Sequence, residues 1–74
     1  MAYYFTKQLR GEIGKNLRKN RKKKGLKQVE LAVDAGVNPS YYGKIERGLV
    51  NPSLEKVYRI IKALGISSSN ILPF

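Results

Sequence analysis

Cysteine, histidine and tryptophan are all missing from this chain of 74 residues, and its acidic residues number only five. Each absence closes a route. Without cysteine no disulfide can reinforce a core that, at this length, buries only about 60% of the unfolded surface. Without cysteine or histidine the usual zinc ligands are gone, together with the thiolate nucleophile and the imidazole base. The acids Glu12, Glu30, Asp34, Glu46 and Glu55 are scattered along the chain and form no obvious catalytic pair, and no Ser–Lys hydrolase motif is present. An enzyme is therefore not expected, and neither is a metal, a cofactor or a small-molecule ligand. Long apolar runs are missing too: nothing approaches the roughly 20 residues of a membrane span. The opening Met-Ala-Tyr-Tyr-Phe-Thr-Lys lacks the charged lead and apolar stretch of a secretory signal, so a cytoplasmic, nucleoid-associated location is expected.

What is abundant is positive charge. Fifteen Lys and Arg against five acids give a net +10, and the sequence pI is near 10.2. Such a balance points to a polyanionic partner, either nucleic acid or an anionic membrane surface. A domain with so little core and no covalent staple also gains from a second subunit, so a homodimer is expected on stability grounds.

Apolar periodicity and its punctuation divide a single domain into an arm over 1–6 and five helices. The first helix, over 7–24, places Leu9, Ile13 and Leu17 on one face, with Asn20 where another apolar residue would be expected, and Gly25 closes it. The second, over 28–35, carries Val29, Leu31 and Ala32, with Glu30 in its first turn, where a negative charge suits the helix dipole. Lys27 stands at its N-cap, a position Ser or Thr would fill better by about 1 kcal/mol. Gly36 ends it. Asn38-Pro39 then reads as a cap followed by proline in the first helical position, opening a third helix over 39–47 that stops at Gly48. Ser53 caps a fourth over 54–64, whose Leu54, Val57, Ile60, Ile61 and Leu64 make a broad apolar face ended by Gly65. Ser67 opens a short last helix over 67–72.

The stretch from Gln28 to Gly48, with Ala32, Gly36, Val37, Tyr42, Ile45 and Glu46 at their spacings, resembles the helix-turn-helix of the Cro/phage-repressor (Xre-like) family. Small Ala32 lets helices two and three cross closely, and Gly36 supplies the positive φ of the short turn between them. Ile13-Gly14, Leu17-Arg18, Arg21, Gly25-Leu26, Asn51-Pro52-Ser53-Leu54 and Lys62-Ala63-Leu64-Gly65 extend the resemblance over about residues 11 to 68. It implies a compact all-α, five-helix repressor-type domain in which helix three enters the major groove of double-stranded DNA. The architecture is similar to that of restriction–modification controller proteins and short phage repressors, and implies a transcriptional regulator.

With Tyr42 and Ile45 spent on the core, the resemblance turns Pro39, Ser40, Gly43 and Lys44 toward base edges, where Lys44 has the reach for guanine O6 and N7. Phosphate contacts are expected from Lys27 and Gln28 at the start of helix two, and from Asn38, Tyr41, Arg47 and Asn51. Leu49 and Val50 depart from the polar loop of many relatives. Arg21 and Glu46 are implied as a partly buried ion pair tying helix one to the end of helix three.

Other readings use the same residues. The basic run of helix one, Arg18-Lys19 and Arg21 to Lys24, serves equally as a solvated face with cations at the favourable end of the dipole. Tyr41 and Tyr42 sit about 100° apart on a helix, so they cannot both face one nucleobase, and Tyr42 is assigned to the core. The Tyr3-Tyr4-Phe5 cluster is expected to pack on the domain or on a partner subunit. Ile66, Ile71, Leu72 and Phe74 exceed what a minimal core needs and are assigned to a dimer contact, which would place two recognition helices about 34 Å apart on a palindromic operator. The alternatives of different class are an antitoxin-like protein-interaction module with secondary DNA binding, and non-specific RNA or nucleoid binding.

Overall fold

A computed structural model describes residues 5–72. The chain forms α1 (Lys7–Lys23), α2 (Gln28–Ala35), α3 (Pro39–Glu46) and α4 (Leu54–Leu64), followed by a single 3-10 turn, Ser68–Asn70. The expected fifth helix is therefore corrected to a turn. The physical reason lies in Ser67-Ser68-Ser69-Asn70, residues whose side chains compete with helical hydrogen bonds. The Ser67 hydroxyl accepts from the Ser69 N–H at 3.2 Å, and the segment reaches only one 3-10 turn before Ile71. Among the described residues no helix is long and apolar enough to cross a membrane.

Each helix begins on a local signal. The side chains of Thr6, Asn38 and Ser53 accept N–H bonds from Leu9, Tyr41 and Lys56 at 3.1–3.2 Å. Lys27 has no acceptor to offer as an N-cap. Glu30 compensates by reaching back to the Lys27 N–H at 2.7 Å, the half of a capping box that an acid can supply. Gly36, with φ of 70°, turns the chain so that the Val37 N–H returns to the Ala32 carbonyl at 2.9 Å. That reversal fixes the entry of α3.

The core gathers Ile13 and Leu17 from α1, Leu31 and Ala32 from α2, Tyr42 and Ile45 from α3, and Val57, Ile60 and Leu64 from α4. Ile71 closes it from the C-terminal turn and is fully buried. Asn16 on α1 holds that turn by donating to the Ile71 carbonyl at 2.9 Å. Asn20, at the position expected to be apolar, is buried and donates to the Asn16 carbonyl at 2.8 Å, so its polarity is satisfied within its own helix. Not all apolar residues of the helices point inward: Val29 and Leu54 are 49% and 67% exposed.

α1 crosses the end of α3 at Gly14. A Cβ there would fall on the Glu46 carbonyl oxygen and within 2.7 Å of the Ile45 carbonyl oxygen. Only glycine permits this crossing, and it sets how deeply α3 is held by the rest of the molecule.

Candidate nucleic-acid interface

α3 is gripped on one side and open on the other. Tyr42, Ile45 and Glu46 are buried, whereas Pro39, Ser40, Lys44 and Arg47 are exposed and lie outward. Helical geometry places Ser40, Lys44 and Arg47 on one stripe at i, i+4 and i+7. Gly43, expected beside them, is buried, with Gln28 Oε1 and Arg47 Nη1 each 3.3 Å from where its Cβ would stand. Its smallness makes room for those two side chains.

The inner side of α3 ends in a polar network around Glu46. Arg21 Nε donates to Glu46 Oε2 at 2.6 Å and Arg21 Nη2 to Oε1 at 3.2 Å. Arg21 Nη1 reaches the Leu26 carbonyl at 2.8 Å, joining the α1–α2 loop to the same cluster. The Tyr42 hydroxyl donates to Glu46 Oε2 at 2.6 Å, and Gln28 Nε2 donates to Oε1 at 3.0 Å. Burial alone would raise the Glu46 carboxyl, but hydrogen bonds from Arg21, Tyr42 and Gln28, with the Arg21 charge, outweigh it and leave the carboxyl below its ordinary value. The hydrogen bond to Glu46 raises Arg21 against the opposing cost of burial. Burial first, and then the bond to Glu46, push the Tyr42 phenol far up. One carboxylate therefore joins α1, the start of α2 and the end of α3.

The residues expected at phosphates differ in their surroundings. Lys27 and Arg47 are exposed with no ion-pair partner among the described residues. Gln28 is half-buried at the first position of α2, with its amide nitrogen committed to Glu46. Tyr41 is half-buried against the core, with Lys56 Nζ 4.9 Å above its ring. The Asn51 amide accepts from the Phe5 N–H at 3.0 Å and donates to the Phe5 carbonyl at 2.8 Å, so it holds Phe5. The exposed Asn38 side chain caps α3 through its Oδ1.

The C-terminal contact also needs revision. Ile71 is a core residue and offers no surface, and Phe74 lies outside the described residues, as do Tyr3 and Tyr4. Ile66 and Leu72 are half-buried and line an apolar groove with Leu54, Val57, Tyr58 and Ile61. Leu54 and Tyr58, 67% and 61% exposed, form its outer wall. The sequence reading passed over Tyr58, although its period relative to Leu54 places both on one face of α4. It also missed the Tyr42 hydroxyl and the Gln28 amide as Glu46 ligands. The spacing of Tyr42 and Glu46 at i, i+4 was the available signal.

The model of the helix-turn-helix family matches residues 17–70. The control protein C.BamHI of Bacillus amyloliquefaciens is 34% identical over 71 residues, covering 95% of this chain and 88% of its own. The immunity repressor of Bacillus phage phi105 is 40% identical over 60 residues, and this chain spans only 42% of its length. Among solved structures, the restriction-modification controller protein C.AhdI from Aeromonas hydrophila superimposes with a TM-score of 0.82 at 36% identity, covering 85% of this chain and 96% of its own. The hypothetical transcription factor NHTF from Neisseria gives 0.82 at 32% identity, over 97% of this chain and 84% of its own. The chain belongs to the Cro/Xre-type helix-turn-helix family of DNA-binding transcriptional regulators.

Proposed function

We propose that the chain controls transcription by binding a specific duplex site through the outer face of α3, as a homodimer on a two-fold symmetric operator. The observation that carries this reading is the exposed stripe of Ser40, Lys44 and Arg47 on a helix whose opposite side is locked by Glu46. A rigid helix with a free outer side is what the major groove admits. Ser40 and Lys44, with Pro39 beside them, face base edges, while Lys27, Arg47 and the hydroxyl of Tyr41 are placed for phosphates on either side. The Gln28 side chain, held by Glu46, fixes the first turn of α2, whose N–H groups suit a phosphate. The second copy docks on the groove of Leu54, Tyr58, Ile66 and Leu72, an apolar surface that a lone domain would leave in water.

Selection of binding sites from a random duplex pool at physiological salt tests the proposal. Enrichment of a symmetric sequence, with half-sites about one helical turn apart, is expected. No enriched sequence would overturn specific recognition. Light scattering at micromolar concentration tests the dimer, and a species of only 8.4 kDa both free and on DNA would remove it.

A further inference from the structure

Most of the cationic charge is not where α3 needs it. Nine of the fifteen Lys and Arg fall between Lys7 and Lys24, whereas α3 and its cap carry only Lys44 and Arg47. Within α1, Ile13, Leu17 and Asn20 face the core, and Gly14 and Arg21 face α3. Lys15, Arg18, Lys19 and Lys22 are exposed on the remaining side, with the single acid Glu12 one turn before Lys15, and line a shallow groove on it. None makes an ion pair among the described residues. Their spacings create like-charge neighbours at i, i+3 and i+4: Lys15 with Arg18 and Lys19, Arg18 with Lys22, and Lys19 with Lys22 and Lys23. Each such pair destabilises a helix. The dipole favours cations in the last turn, which accounts for Lys22 and Lys23 but not for Lys15, Arg18 and Lys19 in the middle of the helix.

We infer that this face of α1 is a second duplex-binding surface, which holds the phosphate backbone of a DNA segment other than the one engaged by α3. The Lys15, Lys19 and Lys22 positions follow one another at about 4.5–6 Å along the helix, and a duplex carries one charge per about 1.7 Å of its axis, so each long side chain finds a phosphate. The stripe contains no aromatic residue on which single-stranded bases could stack, and no large apolar residue to enter a bilayer. Duplex DNA needs neither. With α3 on one segment and the α1 stripe on another, one molecule links two stretches of DNA. The stripe is separate from the α3 surface, so each is tested by its own variant.

The test compares the full chain, K15Q/K19Q/K22Q and K44A. Two duplexes are used, a fluorescent one and one on beads, and capture of the first by the second reports bridging. The parent chain captures, and the triple variant loses at least ten-fold of the captured signal while its binding to a single short selected site keeps its affinity and salt slope. K44A loses preference for the selected site but still bridges random duplexes. The triple variant also melts at least ~4 °C higher, because repulsion is relieved in all five pairs. Three outcomes overturn the inference: undiminished capture by the triple variant; a salt slope on the single short duplex reduced by about 2.7, which would place all three lysines on the α3-bound segment; or stripe-dependent binding to single-stranded RNA or phosphatidylserine vesicles as strong as to duplex DNA.

Discussion

Replacing Glu46 with alanine removes the common acceptor of three donors. Arg21 is left buried without its counter-charge, the Tyr42 hydroxyl without an acceptor, and Gln28 without its hold on the end of α3. The side chains of the ion pair are only 10% and 2% exposed, so water cannot fully replace the lost partner. Breaking such a pair costs about 3–5 kcal/mol. The greater helix propensity of alanine returns at most a few tenths of a kcal/mol. At roughly 0.05–0.15 kcal/mol per residue, the whole chain holds about 4–11 kcal/mol, so the loss is a large share of it. For a domain of this size, each kcal/mol moves Tm by about 4–8 °C, and a fall of at least ~12 °C is expected in a melt followed by circular dichroism. The double variant Arg21→Met/Glu46→Leu separates the cause. If the stranded charge dominates, the apolar pair recovers at least half of the lost Tm. A fall of under ~5 °C in the single variant, or a double variant no better than the single, would refute the reasoning.

Stability should fall at both ends of the pH scale and for different residues. Glu46 has a lowered folded value, so its contribution is complete above the ordinary carboxylate range near ~4.3 and is lost as pH falls through the depressed value, with an unfolding slope of about 1.4 kcal/mol per pH unit for one proton. Tyr42 has a raised value, so its contribution is complete below the ordinary phenol value near ~10 and is lost as pH rises beyond it. Urea midpoints across pH should therefore lose the alkaline limb in Tyr42→Phe; an alkaline limb unchanged in that variant would sink the assignment. Gly14→Ala and Gly11→Ala should move Tm in opposite directions. The first puts a methyl onto the Glu46 carbonyl and costs about 1–3 kcal/mol, while the second meets nothing within 4 Å and gains about 0.5–1 kcal/mol of helix propensity. Equal rises in both melts would show that α1 does not press on α3 at Gly14. Lys44→Ala should cost about 1–3 kcal/mol of discrimination at one base pair of a selected site; a uniform loss on every sequence would make Lys44 a phosphate contact instead.

Legibility in the sequence followed how local each signal was. The Asn38-Pro39 start, the Ser53 cap and the glycines after α2 and α4 act within a few residues, and each stands where the sequence pattern puts it. The last helix, opened in the pattern by the Ser67 cap, ends as a turn because the four polar residues between Ile66 and Ile71 have side chains that favour one. Ile71 was misplaced for a related reason. An apolar residue after the last helix can face outward to a partner or fold back as a plug, and the choice depended on Asn16, 55 residues earlier, offering its amide to the Ile71 carbonyl. The period of a helix tells which residues share a face, not what covers that face, so Leu54, on the apolar face of α4, is 67% exposed.

The same distinction explains why Gly43 and Gln28 were read as surface residues. Both lie beside the exposed stripe of α3, yet each also serves the interior. Gly43 is small so that Gln28 and Arg47 can lie across α3, and Gln28 turns its amide inward to Glu46. The interface and the core therefore share one carboxylate. It follows that Gln28→Ala should do more than remove a side chain near a phosphate. It should leave Glu46 with one hydrogen bond fewer, lower Tm, and loosen the start of α2 relative to α3. If Gln28→Ala weakens DNA binding while the melt is unmoved, the side chain acts on the ligand alone. If both fall together and Gln28→Glu, which places a second carboxylate against Glu46, lowers them further, the bond to Glu46 is what sets the geometry of the binding face.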